Sequence, residues 1–475
     1  MYWVAALYVL IELAFAGRYG YHRDELYFLA AGRHLDWGYA DQPPLVPVIA
    51  RAMAAIDPNS LVLLRFPAIL AVAGVIVCTG WMAREFGGGR GARALAAGVM
   101  GTSMILVGAG HLMGTTAFDL LATAGIVVAL LRVLRVDGDP RWWLVVGALV
   151  GVGLMNKALL VFPVVGLAAA FVVCGPQKMF ATKYFALAVG IGLVLWAPYL
   201  WWQARHGWPQ WALSRAIAGG SSGTSNSPLE FVLVQLVLAG LFAVPVWGYG
   251  WWRLWREPRY RGFAVAYVLL FVVFLVTGGK GYYLAGMYPV LVAAGAVPFA
   301  AWLGAHRRAW VAVVPAGLVN AAMAVVLFLP VFPVAALAHS PIVAVNYDMG
   351  ETVGWPDLVA QVAAARARYA PSAGLLTANY GEAGAIERFG GAYGLPTPHS
   401  GHNSYWWWGP PPGAEPVLTV GIPAERLTAL CADLRPAGRL DNGLDLDNDE
   451  QHAPLSVCTP RVPWATAWPR MKGLG

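Results

Sequence analysis

The chain has 475 residues, of which 59% are hydrophobic and only 12% charged, and its mean hydropathy is +0.59. That is about half the charged fraction of an ordinary soluble domain, which excludes a soluble protein. The net charge of +7 follows from the distribution of Lys and Arg described below, and no nucleic-acid partner is needed to explain it.

Eleven apolar runs recur, near residues 1–16, 61–82, 94–110, 117–134, 142–156, 159–174, 184–202, 229–251, 262–277, 283–303 and 310–333. At 1.5 Å per helical residue, a run of this kind is what crosses roughly 30 Å of hydrocarbon. Only Lys157 separates the fifth and sixth, so one long helix with a re-entrant piece is an alternative there. Alternate loops hold Arg84, Arg90, Arg93, Arg132, Arg135, Arg141, Lys178, Lys183, Arg253, Arg256, Arg259, Arg261, Arg307 and Arg308, whereas the intervening short loops hold only Lys157, Arg205, Arg215 and Lys280. Short cytoplasmic loops accumulate such residues. The expected topology has a cytoplasmic N-terminus, with the loop after the first helix and the C-terminal tail both extracytoplasmic, in a multi-pass protein of the plasma (inner) membrane. Residues 1–16 lack a basic leading region and no small-residue cleavage site precedes Arg18, so no signal peptide is expected.

The first external loop, about 17–60, carries Gly20-Tyr-His-Arg-Asp-Glu-Leu-Tyr27 and Trp37-Gly-Tyr-Ala-Asp-Gln-Pro-Pro44. Two helices lying flat on the bilayer are predicted here, at 24–34 and 44–55, punctuated by Pro43-Pro44. Asp24 and Glu25, flanked by His22 and Arg23, put two carboxylates at the lip of the membrane. Such a pair suits general-base chemistry on a membrane-borne substrate, although a solvated helix N-terminus also favours carboxylates.

Further polar features sit at the predicted outer ends of apolar helices: His111 with Asp119, Asn156-Lys157, and Gly279-Lys280-Gly-Tyr282-Tyr283. With Asp41 and Gln42 they outline a cavity on one membrane face. Lys157, Lys280 and the tyrosine hydroxyls suit a phosphate that develops charge as it leaves, against the alternative that the lysines snorkel to the interface. Asp24, Glu25 and His22 are also the residues that a divalent metal ion, the one cofactor left open, would use.

From about 334 onward Asp, Asn, Glu and Pro return. Helices are predicted at 356–369, 382–389 and 423–434 and strands at 374–379, 416–422 and 455–458, a small α/β domain. Its Asn379-Tyr-Gly-Glu382 turn either faces a ligand or simply starts a helix. The segment His399-Ser-Gly-His-Asn-Ser-Tyr-Trp-Trp-Trp408 is read as an aromatic belt over the membrane surface or cavity, with acceptor recognition as the alternative. Cys431 and Cys458 lie in this external tail, where an oxidising compartment allows a disulfide. Cys78 and Cys174 lie inside apolar helices.

The Asp24-Glu25 pair after the first membrane helix, Asp41-Gln-Pro-Pro-Leu45, the Lys280/Tyr282-Tyr283 motif and Tyr288-Pro289 together resemble the GT-C glycosyltransferases, in particular the family 39 group of protein O-mannosyltransferases and lipid A aminoarabinose transferases. The resemblance covers residues 1–333. It implies a GT-C-like polytopic α-helical membrane domain with a C-terminal extracytoplasmic domain, a polyprenyl-phosphate-linked sugar donor, and transfer on the external face. By position, Asp24 matches the family's catalytic acidic residue and Glu25 its neighbour, while Lys280 and Tyr283 match residues near the donor phosphate. Gln42 departs from the pattern, since many members carry His or Lys there.

The expected activity is transfer of a hexosyl or pentosyl unit to an acceptor hydroxyl on lipid, protein or polysaccharide, with Asp24 as the base. A transporter or flippase for a lipid-linked glycan is the competing class, disfavoured because the charges gather at one face and the two halves show no paired broken helices. A polymerase or ligase of lipid-linked oligosaccharides is a third.

Overall fold

The structure, a computed structural model, describes residues 1–218 and 227–474. All eleven apolar runs are helical. Among the described residues, five helices are long and apolar enough to cross a membrane: Leu61–Glu85, Thr115–Val133, Lys183–Arg205, Gly281–Ala305 and Arg307–Phe328. The pairs Arg90–Gly101 with Met104–His111 and Pro228–Leu238 with Leu241–Arg256 add two more if each is one span, bent by 62° and 75°. Tyr2–Phe15, Trp142–Leu154, Ala158–Cys174 and Arg261–Val276 are shorter apolar helices. The fifth and sixth runs are separate helices, because Lys157 adopts extended backbone between them.

The chain forms two compact units. The first comprises Met1–Ala16, Gln42–Val46 and Arg65–Leu329, and the second Gly17–Asp41, Pro47–Leu64 and Pro330–Gly475. This differs from the expected division in two ways. The first external loop, assigned above to the membrane domain, belongs mostly to the second unit. The last membrane helix ends at Phe328 rather than near 333, with Leu329 already extended, since the residue before Pro330 is driven out of helical geometry.

Within the first unit, close helix packing rests on small residues. Gly250 and Gly295 bring the backbones of Val244–Arg256 and Tyr288–Ala305 into contact, and a Cβ on Gly250 would lie 2.8 Å from the Gly295 nitrogen. In Gly281–Ala305, 67% of the apolar window is buried, whereas in Arg307–Phe328 only 11% is. The former is an interior helix, and the latter leaves its apolar surface to lipid. Asn320 nevertheless ties this outer helix to both bends: its Nδ2 donates to Thr102 O (2.8 Å) at the first, and its Oδ1 rests against Gly240 at the second.

The second unit contains one mixed sheet. Its strands are β1 (Gly374–Thr377), β2 (Pro398–Ser400), β3 (Val417–Val420), β4 (Cys431–Arg439) and β5 (Pro454–Pro460), in the order β2-β1-β3-β5-β4. β2, β1 and β3 run parallel, with Leu376 opposite His399 and Leu418, being paired with Leu375, opposite Val457. The β3–β5 and β5–β4 pairs are antiparallel. The helix predicted at 423–434 shrinks to Ala424–Thr428, and β4 takes the rest. β4 shows no alternating burial, its pairing slips between Cys431 and Asp433 and between Pro436 and Gly438, and only its place at the sheet edge tolerates Pro436. Cys431 and Cys458 are joined as a disulfide in a core with Leu376, Val417, Leu427, Trp464 and Trp468.

Candidate active site

Each of the two units holds its own group of candidate residues. In the second unit, the helix Arg23–Arg33 begins at His22. The His22 Nδ1 accepts from the Asp24 backbone N–H (3.2 Å), and Glu25 Oε2 accepts from the His22 N–H (2.8 Å). This capping box satisfies donors that the first helical turn would otherwise leave open. Glu25, fully buried, is thus committed to its own helix start.

Asp24 points elsewhere. The helix Tyr380–Phe389 lies against Arg23–Arg33 through a glycine face: a Cβ on Gly381 would sit 3.0 Å from Arg23 Cβ, and one on Gly384 2.9 Å from Leu26 Cβ. That approach lets the Tyr380 hydroxyl donate to Asp24 Oδ1 at 2.7 Å. The helix start itself is fixed by a second capping box between Asn379 and Glu382. The Tyr380 ring is held between Tyr27 (4.8 Å) and His402 (5.0 Å), and the Arg23 guanidinium lies 5.3 Å from its centre. Arg23 is anchored by Glu351 (3.3 Å) and by Asp449, and Asp449 also accepts from Tyr347 OH (2.7 Å).

A second carboxylate adjoins the first. Tyr27 OH donates to Asp41 Oδ1 (2.8 Å), Asn403 Nδ2 to Asp41 Oδ2 (3.4 Å), and the Ser404 N–H to Tyr27 OH (3.3 Å). Burial pushes the Asp41 carboxyl up to about 7; the Tyr27 bond and Asp41's own backbone oppose this, and the charge of Asp24 adds to it. Burial works against a charged His22, as does the acceptor role of its Nδ1, which needs the neutral ring, while Asp348 at 3.6 Å and the charges of Asp24 and Glu25 pull the other way. Burial, with the charge of Asp24, drives the Tyr380 phenol well above its ordinary range, so it remains a donor.

In the first unit, Gly278 at φ +68 turns the chain after Arg261–Val276, and Gly281–Met287 follows as a tight helical turn. Lys157 is brought to this turn. Its ammonium lies 5.2 and 5.9 Å from the centres of the Tyr282 and Tyr283 rings, hydrogen-bonds Thr116 Oγ1 (3.3 Å), and interacts electrostatically with both Asp119 and Lys280. Two cations, one carboxylate and two phenols therefore converge. The Gln42–Val46 segment is tied beside them by the Leu45 N–H donating to Met155 O (3.0 Å), and Gln42 is buried.

His111 does not join Asp119. Its ring lies in a separate buried group, 3.4 Å from Glu12 Oε2 and 3.4 Å from an Arg65 nitrogen, while Arg65 donates to Ala16 O. Nor do Asp24, Glu25 and His22 form a coordination set: Glu25 Oε2 and His22 Nδ1 turn to the backbone of their own helix start, and Tyr380 holds Asp24 Oδ1. Among the described residues no group of three or more His, Cys, Asp and Glu side chains is arranged to hold a metal ion. The aromatic segment packs inward: Tyr405 donates to Glu387 (2.9 Å), Trp408 stacks on His34 (4.4 Å) and Trp406 bonds Trp468 O. Tyr405 is buried, and Trp406, Trp407 and Trp408 are half-buried.

The chain is similar in structure to ArnT from Cupriavidus metallidurans bound to undecaprenyl phosphate, with TM-score 0.62 and 17% identity, over 97% of this chain and 98% of that one. The apo state of the same protein gives 0.60 and 16%, over 96% and 97%. The Archaeoglobus fulgidus oligosaccharyltransferase tethered with an acceptor peptide gives 0.51 and 11%, over 84% of this chain and 64% of that one. No curated protein sequence matches. The fold is that of the GT-C class of membrane glycosyltransferases. Residues 41–202 match the family described as dolichyl-phosphate-mannose-protein mannosyltransferase.

Proposed function

We propose that this protein transfers a sugar from a polyprenyl-phosphate carrier to an acceptor hydroxyl on lipid, protein or polysaccharide, at the extracytoplasmic face of the plasma membrane. Asp24 is the base. Tyr380 engages its Oδ1, which leaves Oδ2 to take the acceptor proton as the acceptor oxygen attacks the anomeric carbon. The bond from that carbon to the phosphate oxygen breaks, the phosphate leaves with the electron pair, and the anomeric configuration inverts. Lys157 and Lys280 neutralise the charge that grows on the departing phosphate, with Tyr282 and Tyr283 as hydrogen-bonding neighbours. No step is assigned to a metal ion, since the residues that would hold one do not converge.

The convergence of Lys157, Lys280 and the Tyr282-Tyr283 pair carries this reading. The undecaprenyl phosphate of the ArnT structure supports the choice of carrier. Deletion cells should accumulate both donor and unmodified acceptor, which makes their membranes the substrate to offer the purified protein. Wild-type protein should transfer metabolically labelled sugar out of the lipid fraction, and Asp24→Asn should do so about 10² to 10⁴ times more slowly. No transfer by wild-type protein, with the labelled lipid merely changing leaflet, would identify a flippase instead.

A further inference from the structure

We infer that Tyr380 is a positioning residue for Asp24: its phenol fixes the carboxylate so that one oxygen is engaged and the other is presented to the acceptor. The inference rests on Asp24 being the base. Three observations carry it. The bond is short at 2.7 Å, and its partner is the same carboxylate proposed to take the proton. The phenol cannot swing away, because Tyr27 and His402 flank its ring and the Arg23 guanidinium lies near its centre. Finally, the glycines at 381 and 384 set the distance between the two helices, so the bond length is dictated by backbone packing rather than by a flexible side chain. A base held in this way spends less time in rotamers that cannot accept the acceptor proton. The tyrosine lies 356 residues from its partner in sequence, so the C-terminal part of the chain acts on the base through this one bond.

Tyr380→Phe keeps the ring, its stacking and its contact with Arg23, and deletes only the hydroxyl. In the transfer assay with membranes of deletion cells, turnover at saturating membrane should fall roughly ten- to a hundredfold, the worth of one hydrogen bond to a charged group. The amount of membrane giving half-maximal rate and the thermal midpoint should both stay at the wild-type value. In an Asp24→Asn background the same change should cost nothing further, because Tyr380 acts through Asp24. Wild-type turnover in Tyr380→Phe would overturn the inference, as would an equal additional loss in the Asp24→Asn background. A Tyr380→Phe protein with a lowered midpoint is decided by that double-variant arm alone. Full activity of Asp24→Asn with normal Tyr380 would remove Asp24 as the base, and the inference with it, while the glycosyl transfer itself would stand.

Discussion

Asp41 shows what individual side chains add to this site. It receives hydrogen bonds from Tyr27 and Asn403, yet burial outweighs the Tyr27 bond and pushes its carboxyl up to about 7. An aspartate in an unfolded chain ionises near 3.9, or about 4. Between about pH 4 and pH 7 the folded protein therefore holds a proton that the unfolded chain has lost, and stability falls as pH rises through that window. Asp41→Asn removes this titration. Its thermal midpoint should gain steadily on wild type from about pH 4 to 7 and then hold a constant lead; parallel curves across the range would show that Asp41 ionises normally. The sequence pointed to Asp24, Glu25 and Asp41 because they are adjacent or share a loop with a recognisable motif. It could not separate the roles of the pair, since Asp24 and Glu25 differ only in what the fold offers them, a tyrosine in one case and a backbone N–H in the other. Tyr27, Tyr380, Glu351 and Asp449 were missed as site residues. The one available signal is Asn379-Tyr-Gly-Glu382, which starts a helix and whose Tyr380 bonds Asp24.

Among the elements, the contact between Arg23–Arg33 and Tyr380–Phe389 matters most for the site. Gly384 has no room for a side chain beside Leu26. Gly384→Val must push the helices apart, at about 1 to 3 kcal/mol for an overpacked contact, and should lower both the thermal midpoint and the transfer rate. Normal stability and rate would mean the helices tolerate separation, and that their spacing does not set the Tyr380–Asp24 bond. The edge strand makes a different case. Cys431 and Cys458 are 27 residues apart, so closing that loop stabilises the second unit by roughly 3 to 4 kcal/mol in the chain-entropy model. Reduction should lower its thermal midpoint, and non-reducing peptide maps of freshly prepared protein should contain the linked peptides; two free thiols there would dissolve the bridge. The long helices were legible because apolar runs and periodicity mark them strongly. β4 was not, because a bulged edge strand containing proline lacks the period-two pattern that marks strands.

For the whole molecule, the basic loops remain the best guide to orientation. A reporter fused after Pro341 should be extracytoplasmic and one between Arg256 and Arg259 cytoplasmic; the reverse at either point would invert the topology on which external transfer depends. Composition separates the apolar helices from the polar tail, but it does not show that residues 17–41 and 47–64 fall in the same compact unit as that tail. Those residues follow the first membrane helix in sequence and join the tail only through tertiary contacts. Asn320 carries a last consequence, for how the protein is made. Its bond to Thr102 spans 218 residues. At roughly 5 to 20 residues per second, the ribosome needs about ten to forty seconds to cover that distance. Throughout that interval the bend after Gly101 is already in the membrane without the amide that will brace it, and an unsatisfied backbone group in lipid costs several kcal/mol. The helix that buries least of itself is thus the one that completes the bends made long before it, and the nascent chain passes through a stage in which its early kinks depend on other helices or on the insertion machinery for support.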